Sequence, residues 1–280
     1  MRSIQLSIFV VLLLIGTAAF AQSPVPDTLW TRIYGGPGDE ICYSVQQTRD
    51  GGYVLGGVYE ATSVSQDDMY LIKTDRVGRI VWNRTYGGDS NECCRSVHQT
   101  NDGGYALAGF TYSYGSGLSD FYLVRTDSLG NQQWDHTYGT GSSDRLECMQ
   151  PTADGGYILG GYTGPPYGED MYLVKTDSLG NLEWDHTYGG SGVDGCYSVQ
   201  QTSDGGYILG GSFYGGTSGY MMWLVKTDDQ GNMEWDQTFG YAGSGRCNCV
   251  RQTSDGGYVL GGSDDLYGPD NYYVFIVRDR

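Results

Sequence analysis

The chain has 280 residues, of which 46 are glycine and 25 are tyrosine, and its formal net charge is −17. That charge argues against nucleic acid and anionic lipid as partners, because their phosphates would be repelled rather than neutralised. Glycine forms turns and tyrosine favours strands, so this composition predicts an all-β protein without long helices.

The first residues are predicted to be a targeting segment rather than part of the fold. Arg2 precedes an apolar run over residues 8–15, and Ala19-Phe20-Ala21 is a small-x-small cleavage pattern. This arrangement is typical of a secretory signal peptide and is too short for a comfortable membrane span. We therefore expect residues 1–21 to be removed. The mature chain, residues 22–280, should be secreted (extracellular or periplasmic), monomeric and without a membrane span.

Two sequence markers repeat with the same period. The string DGGY begins at residues 50, 102, 154, 204 and 255, and tryptophan recurs at residues 30, 82, 134, 184 and 235. Both series have spacings of 52, 52, 50 and 51 residues. Two independent series with one period predict five copies of one structural unit, with a repeat of about 51 residues.

The first copy shows the strands expected in every unit. Residues 42–48 form the first predicted strand, and Arg49-Asp50-Gly51-Gly52 is a hairpin turn in which glycine accepts positive φ without steric cost. The second, third and fourth strands are predicted at residues 53–59, 69–74 and 80–86. Four antiparallel strands in about fifty residues match the size of one β-propeller blade.

The two ends of the chain predict a closed ring. Residues 29–34 form a lone fourth strand, whereas residues 273–280 form a third strand with no fourth strand after it. Pairing these ends would complete the last unit and cover two strand edges that would otherwise be unpaired. We therefore predict that residues 22–280 form a single five-bladed β-propeller of four-stranded antiparallel blades, closed by the N-terminal strand.

The repeat resembles known propeller families. The Gly-Gly pair that ends the second strand, the aromatic residue of the third and the tryptophan of the fourth resemble the Kelch type of repeat. The stretch GGPGDE at residues 35–40, followed by DGGY, is more similar to the repeats of bacterial secreted β-propeller proteins. The resemblance covers residues 28–280 and implies the fold. It implies little about function, because these families include sugar binders, scaffolds, adhesins and enzymes.

Two sets of side chains are candidates for a ligand site at one mouth of the predicted channel. Carboxylates recur on the connection into the first strand and suit a cation or sugar hydroxyls, although capping of backbone N–H groups is the alternative. Tyrosines occupy the variable loops between the second and third strands, where stacking on a ligand is favourable. The carboxylates are Glu40, Glu92, Asp144 and Asp194, and the tyrosines are Tyr59, Tyr112, Tyr114, Tyr167, Tyr214 and Tyr267.

Cysteines and basic residues also recur at fixed places. The cysteines of the first strand are interpreted as small buried hydrophobes, with a disulfide, redox or soft-metal site as the alternative. The basic residues of the third strand are expected to screen the carboxylates at the mouth. No metal or cofactor site is predicted, with Ca²⁺ as the alternative. The cysteines are Cys42, Cys94, Cys196 and Cys247, and the basic residues are Lys73, Arg125, Lys175, Lys226 and Arg278.

These patterns lead to two main hypotheses of function and to a third, a repeat domain that is only a structural piece of a surface assembly. The first is a secreted non-catalytic binding or scaffold module, whose ligand, a carbohydrate or an extracellular protein, occupies the face with the long loops. The alternative is an extracellular carbohydrate-active hydrolase or lyase that uses carboxylates at the channel mouth. Catalysis needs two carboxyl groups in distinct environments at about 5–10 Å, and a quasi-symmetric ring of similar acids does not offer that difference. No catalytic residue is therefore predicted.

Overall fold

The computed structural model describes residues 29–36, 38–61, 66–216, 219–264 and 273–279. Residues 32–280 form one compact unit, and residues 1–31 belong to a separate unit. The predicted signal peptide and Tyr267 lie outside the described residues. Within these ranges the protein contains no α-helix, and hence no helix of the length and apolarity needed to cross a membrane.

The described strands form five antiparallel sheets, each built from strands that are consecutive in the chain. The first sheet contains β1 (Glu40–Gln47), β2 (Tyr53–Ala61), β3 (Gln66–Thr74) and β4 (Ile80–Tyr86). The second contains β5 (Glu92–Gln99), β6 (Tyr105–Thr111), β7 (Asp120–Thr126) and β8 (Gln132–Tyr138). The third contains β9 (Ser143–Pro151), β10 (Tyr157–Gly164), β11 (Asp170–Thr176) and β12 (Leu182–Tyr188).

The last two sheets differ in strand number. The fourth contains β13 (Gly195–Gln201), β14 (Tyr207–Tyr214), β15 (Gly219–Thr227) and β16 (Met233–Ser244), and the fifth contains β17 (Arg246–Gln252), β18 (Tyr258–Asp264) and β19 (Tyr273–Asp279). The predicted all-β architecture of repeated four-stranded sheets is confirmed. In the described part of the chain, residues 29–36 belong to no strand and β19 pairs with β18 alone, so closure of a ring stays a prediction.

The two sequence markers contact each other between neighbouring sheets. Four of the five marker tryptophans lie on the fourth strand of one sheet and pack against the tyrosine of the DGGY turn in the next sheet. A tyrosine at the end of the same fourth strand adds a hydrogen bond, as when Tyr86 donates to the carbonyl oxygen of Gly130 at 2.8 Å. The ring pairs are Trp82–Tyr105 at 5.6 Å, Trp134–Tyr157 at 6.4 Å, Trp184–Tyr207 at 5.7 Å and Trp235–Tyr258 at 5.6 Å.

The Gly-Gly pair of the second strand allows two close approaches. A β-carbon at the second glycine would meet the first strand of the same sheet; at Gly57 it would lie 1.8 Å from the carbonyl oxygen of Ile41. The first glycine faces the next sheet, where the Cys94 sulfur would lie 2.9 Å from a β-carbon at Gly56. The Cys94 side chain is fully buried there, which supports its interpretation as a small hydrophobe that fills a tight slot.

The buried cations of the third strands form ion pairs at the DGGY turns. Lys73 Nζ lies 2.8 Å from Asp50 Oδ2, and Lys175 Nζ lies 2.8 Å from Asp154 Oδ2. The hydrogen bonds from Lys73 and Thr48 lower the pKa of Asp50 to about 2. The prediction that these cations screen the carboxylates at the start of the first strand was wrong, because a buried ammonium group pairs with the nearest carboxylate and the turn lies at the other end of that strand.

Candidate functional site

The carboxylates predicted at the start of the first strands are buried within their own connections. Glu92, Asp144 and Asp194 have no solvent exposure. The backbone N–H of Gly88 donates to Glu92 at 2.9 Å, and the N–H of Gly190 donates to Asp194 at 2.8 Å. In the first sheet the N–H of Gly36 donates to Glu40 in the same way, at 2.8 Å. These contacts favour the capping interpretation of the four carboxylates.

Three of these carboxylates also form pairs with an aspartate of the preceding sheet. A β-carbon placed on Gly139 would lie 2.4 Å from Asp120 Oδ1 and 2.5 Å from Asp144 Oδ2, so the two oxygens are at most about 5 Å apart. Burial and the charge of Asp144 raise the pKa of Asp120 to about 6. The two groups repel each other when both are ionised, because burial and like charge disfavour the second ionisation. The other pairs are Asp68–Glu92 at Gly87 and Asp170–Asp194 at Gly189.

The predicted tyrosines lie mostly at the surface, and one of them reaches a cationic side chain. Tyr167 is 90% exposed, and Tyr114 donates a hydrogen bond to the carbonyl oxygen of Gly87 at 2.7 Å. The hydroxyl of Tyr112 accepts a hydrogen bond from the Arg145 guanidinium. The remaining two described tyrosines pack within their own sheets, Tyr59 on Tyr70 at 5.4 Å and Tyr214 on Tyr220 at 5.2 Å between ring centroids.

The first strands of consecutive sheets contact one another along the chain, from β1 through β5, β9 and β13 to β17. Three residues after the aligned carboxylates lies a position that varies between the copies. Two copies have tyrosine there, and each of the other three has a different residue. The residues at this position are Tyr43, Arg95, Glu147, Tyr197 and Asn248. Sequence reasoning looked for variation only in the loops and so missed this position. The alignment of the repeats already contained the signal.

Arginine and aromatic side chains alternate around this position. The Arg95 guanidinium carbon lies 4.3 Å from the centroid of the Tyr43 ring. Arg145 lies 5.2 Å from the ring of Phe110. In the fifth sheet, Arg246 lies 3.6 Å from the ring of Tyr197. Stacking on an aromatic face holds a planar guanidinium in place while leaving its N–H groups free to bind.

One carboxyl group, that of Glu147, lies among these cations. Its Oε2 is 3.5 Å from Arg95 Nε, an ion pair without hydrogen-bond geometry, since Arg95 Nε is buried and has no hydrogen-bond partner. Burial raises the pKa of Glu147, although the charges of Arg95, Arg246 and Arg145 oppose the rise. We call Glu147, Arg95, Arg145, Arg246 and Tyr197 the Glu147 cluster. It combines a polarised acid with aromatic surface and hydrogen-bond donors.

Metal binding has no comparable support. In the part of the chain that the structure describes, no group of three or more His, Cys, Asp or Glu side chains is arranged to hold a metal ion. All seven cysteines are free thiols.

Comparisons with known proteins bear on the fold. No protein-family model matches the sequence, and the comparison with curated proteins gives no match. A solved protein of unknown function from Dyadobacter fermentans is similar, with a TM-score of 0.59, 11% identity, and coverage of 92% of this chain and 80% of that chain. An α-L-arabinanase from Penicillium chrysogenum, solved with arabinobiose, has a TM-score of 0.51, 12% identity, and coverage of 87% of this chain and 96% of that chain.

These likenesses, together with the repeated four-stranded sheets, support a β-propeller fold. They also correct the leading hypothesis of function. The prediction of a non-catalytic binding or scaffold module was wrong as the main interpretation, because the similar propellers include glycoside hydrolases such as the arabinanase. The alternative, a carbohydrate-active hydrolase, is the better supported of the two. At this identity the likeness concerns the fold alone, because one fold carries many different chemistries.

Proposed function

We propose that this protein is a secreted carbohydrate-active hydrolase whose substrate binds at the Glu147 cluster. The observation that carries the proposal is Glu147 itself, a half-buried acid with a raised pKa on an inner strand, where the other copies carry Tyr, Arg or Asn. A carboxyl group with a raised pKa stays protonated closer to neutral pH and can therefore act as a general acid.

The cluster suits the steps of glycoside hydrolysis. Tyr43 and Tyr197 offer aromatic faces on which a sugar ring can stack. Glu147 would donate its proton to the glycosidic oxygen as the bond to the sugar breaks. A second carboxylate would take a proton from the water molecule that attacks the sugar carbon from the opposite side of the ring. Guanidinium groups held by stacking would orient the hydroxyls of the substrate without rearranging.

Glu169 is the candidate for the second carboxylate. Its Oε2 is buried and has no hydrogen-bond partner, which is costly unless a ligand uses the group. Burial raises the pKa of Tyr220, and the charges of Glu169 and of Tyr197 in the cluster both add to the rise, so the two residues lie near the same tyrosine. The backbone N–H of Asp194 donates to the carbonyl oxygen of Glu169 at 2.6 Å, which fixes this residue beside the entry into β13. Glu147 and Glu169 are not repeats of each other, so they supply two distinct environments.

The proposal is tested by replacing the acid. Purified wild-type protein and the Glu147→Gln variant would be incubated with arabinan, β-1,3-galactan and polygalacturonate, and the release of reducing ends measured. We expect Glu147→Gln to lower the rate by about 10²–10⁴-fold, the contribution of a general acid. Glu60→Gln is the matched control, because Glu60 lies outside the cluster and its substitution removes the same charge as Glu147→Gln. Hydrolysis that is equal in Glu147→Gln and Glu60→Gln would refute the assignment.

The architecture behind this site is proposed to be a closed five-bladed ring. Tyr34 donates to the carbonyl oxygen of Gly78 at 2.8 Å, which repeats the bond of Tyr86 to Gly130 one sheet earlier. A β-carbon on Gly261 would meet nothing within 4 Å, and Cys42 is exposed, although the equivalent glycines and cysteines of other sheets pack together. These are the two surfaces that ring closure would join.

Closure and secretion have separate tests. A chain that begins at Gly35 lacks the closing segment and should melt well below the chain that begins at Gln22. Equal melting temperatures would rule out closure by residues 29–34. For secretion, the full chain would be expressed with an export pathway and the N-terminus of the exported protein sequenced. We expect it to start at Gln22, and retention of residues 1–21 would contradict the proposed signal peptide.

A further inference from the structure

The inner strands form a cationic site in a strongly acidic protein. The chain as a whole carries a net charge of −17. The Glu147 cluster, in contrast, contains three guanidinium groups and a single carboxyl group. Lys73, Arg125, Lys175 and Lys226 of the third strands pair with neighbouring carboxylates, as Lys226 does with Asp204 at 3.0 Å and with Glu234 at 3.0 Å. In the cluster the positive charge is in excess.

Aromatic rings contact the guanidinium groups of the cluster, beside the ion pair of Arg95 with Glu147 and the hydrogen bond of Arg145 to Tyr112. Arg95 lies between the rings of Tyr43 and Phe110, at 4.3 Å and 5.8 Å from their centroids. Arg145 lies against Phe110 and Tyr112, at 5.2 Å and 5.8 Å. Rings satisfy the flat faces of a guanidinium, whereas its N–H donors point along the edges. Arg95 Nε is buried without a hydrogen-bond acceptor, so the site contains a donor that the protein leaves unsatisfied.

We propose that the Glu147 cluster binds an acidic saccharide whose sugar units carry carboxylate groups, that is, a uronic-acid oligosaccharide. This inference names the substrate class of the hydrolase and rests on the proposed function for its catalytic meaning. The carboxylates of alternate sugars pair with Arg95, Arg145 and Arg246 in the bidentate geometry that a guanidinium offers. The aromatic rings beside each arginine contact the apolar faces of the same sugars.

Charge also links binding to the acid. The three arginines stabilise the charged form of Glu147 in the free protein. When saccharide carboxylates pair with these arginines, that stabilisation is offset and new negative charge lies beside Glu147, so its pKa rises further. An anionic substrate therefore increases the protonation of the acid that acts on it. A neutral sugar of the same size would not pair with the arginines, so their charges would continue to lower the pKa of Glu147.

The test compares an acidic saccharide with its neutral methyl ester. Binding of trigalacturonate and of its fully methyl-esterified form to the wild-type protein would be measured by isothermal titration calorimetry at 50 mM and 200 mM salt. We expect the acid to bind at least tenfold more tightly than the ester, and only the affinity for the acid to fall with salt. Equal affinities for the two would overturn the inference. A sulfated trisaccharide that binds as tightly as trigalacturonate would overturn the choice of carboxylate.

The matched variants are Arg246→Gln and Arg76→Gln, which remove the same charge from two exposed positions, one in the cluster and one in the turn after β3. Arg246→Gln should weaken trigalacturonate binding at least tenfold, and Arg76→Gln should leave it unchanged. Equal binding by the two variants would overturn the inference. If trigalacturonate binds as expected but none of the three polysaccharides is cleaved, the proposed hydrolase fails while the saccharide site stands. If a neutral glycan is cleaved through Glu147 and trigalacturonate does not bind, the proposed hydrolase stands and the inference of an acidic saccharide fails.

Discussion

The glycine near the end of the second strand provides the sharpest test of the fold, through Gly109→Ala in the copy where Ala108 already replaces the first glycine of the pair. A β-carbon at Gly109 would lie 1.7 Å from the carbonyl oxygen of Cys93 and 2.8 Å from its carbonyl carbon, whereas β-carbons essentially never approach another atom within 3.0 Å. The missing distance of about 1.3 Å must come from separating β5 from β6, because backbone on both sides cannot rotate away. The ladder between these strands would be strained next to the register shift at Cys94.

We expect Gly109→Ala to destabilise the protein by about 3 kcal/mol or more, at the upper end of what overpacking costs. For a protein of this size, that loss lowers the melting temperature by about 6–12 °C. Urea unfolding followed by tryptophan fluorescence measures the change. Gly141→Ala is the control, because a β-carbon there meets nothing within 4 Å. If the two variants unfold at the same urea concentration, the close approach of the strands is not what requires glycine at the end of the second strand.

Three further predictions concern stability. Tyr138→Phe removes a buried hydroxyl that donates to Gly180 at 2.6 Å, so it should cost about 1–3 kcal/mol in urea unfolding, whereas Tyr167→Phe at an exposed site should cost nothing measurable. Asp120 has a raised pKa of about 6, so the folded state holds its proton and stability falls as pH rises from about 4 to 6; Asp120→Asn should abolish that dependence in melting curves. The pKa of Asp50 is lowered to about 2, so its contribution is present above about pH 4 and is lost towards pH 2; Lys73→Met should flatten that part of the acid-unfolding curve.

Local patterns in the sequence were sufficient to predict the repeated unit. The DGGY turns and the alternating pattern of the strands depend on chain geometry within a few residues, where turn chemistry and strand period act directly. The five predicted copies correspond to five antiparallel sheets in the described residues. The tryptophan and tyrosine markers recur together because they touch across each junction between sheets, as Trp82 and Tyr105 do.

The site depended on contacts between copies, which no local pattern contains. Glu92 and Glu147 are both acids near the start of an inner strand, yet the first is sealed by backbone N–H groups and the second lies among arginines of three sheets. The packing of neighbouring sheets and the pleat of each strand decide the surroundings of the two acids. They leave Glu92 buried and capped, and they bring Glu147 close to Arg95 and Arg246. The sequence alone therefore determined the fold class and the repeat, because both depend on short-range geometry. Tertiary packing decided which charged groups meet, because burial and proximity set their chemistry.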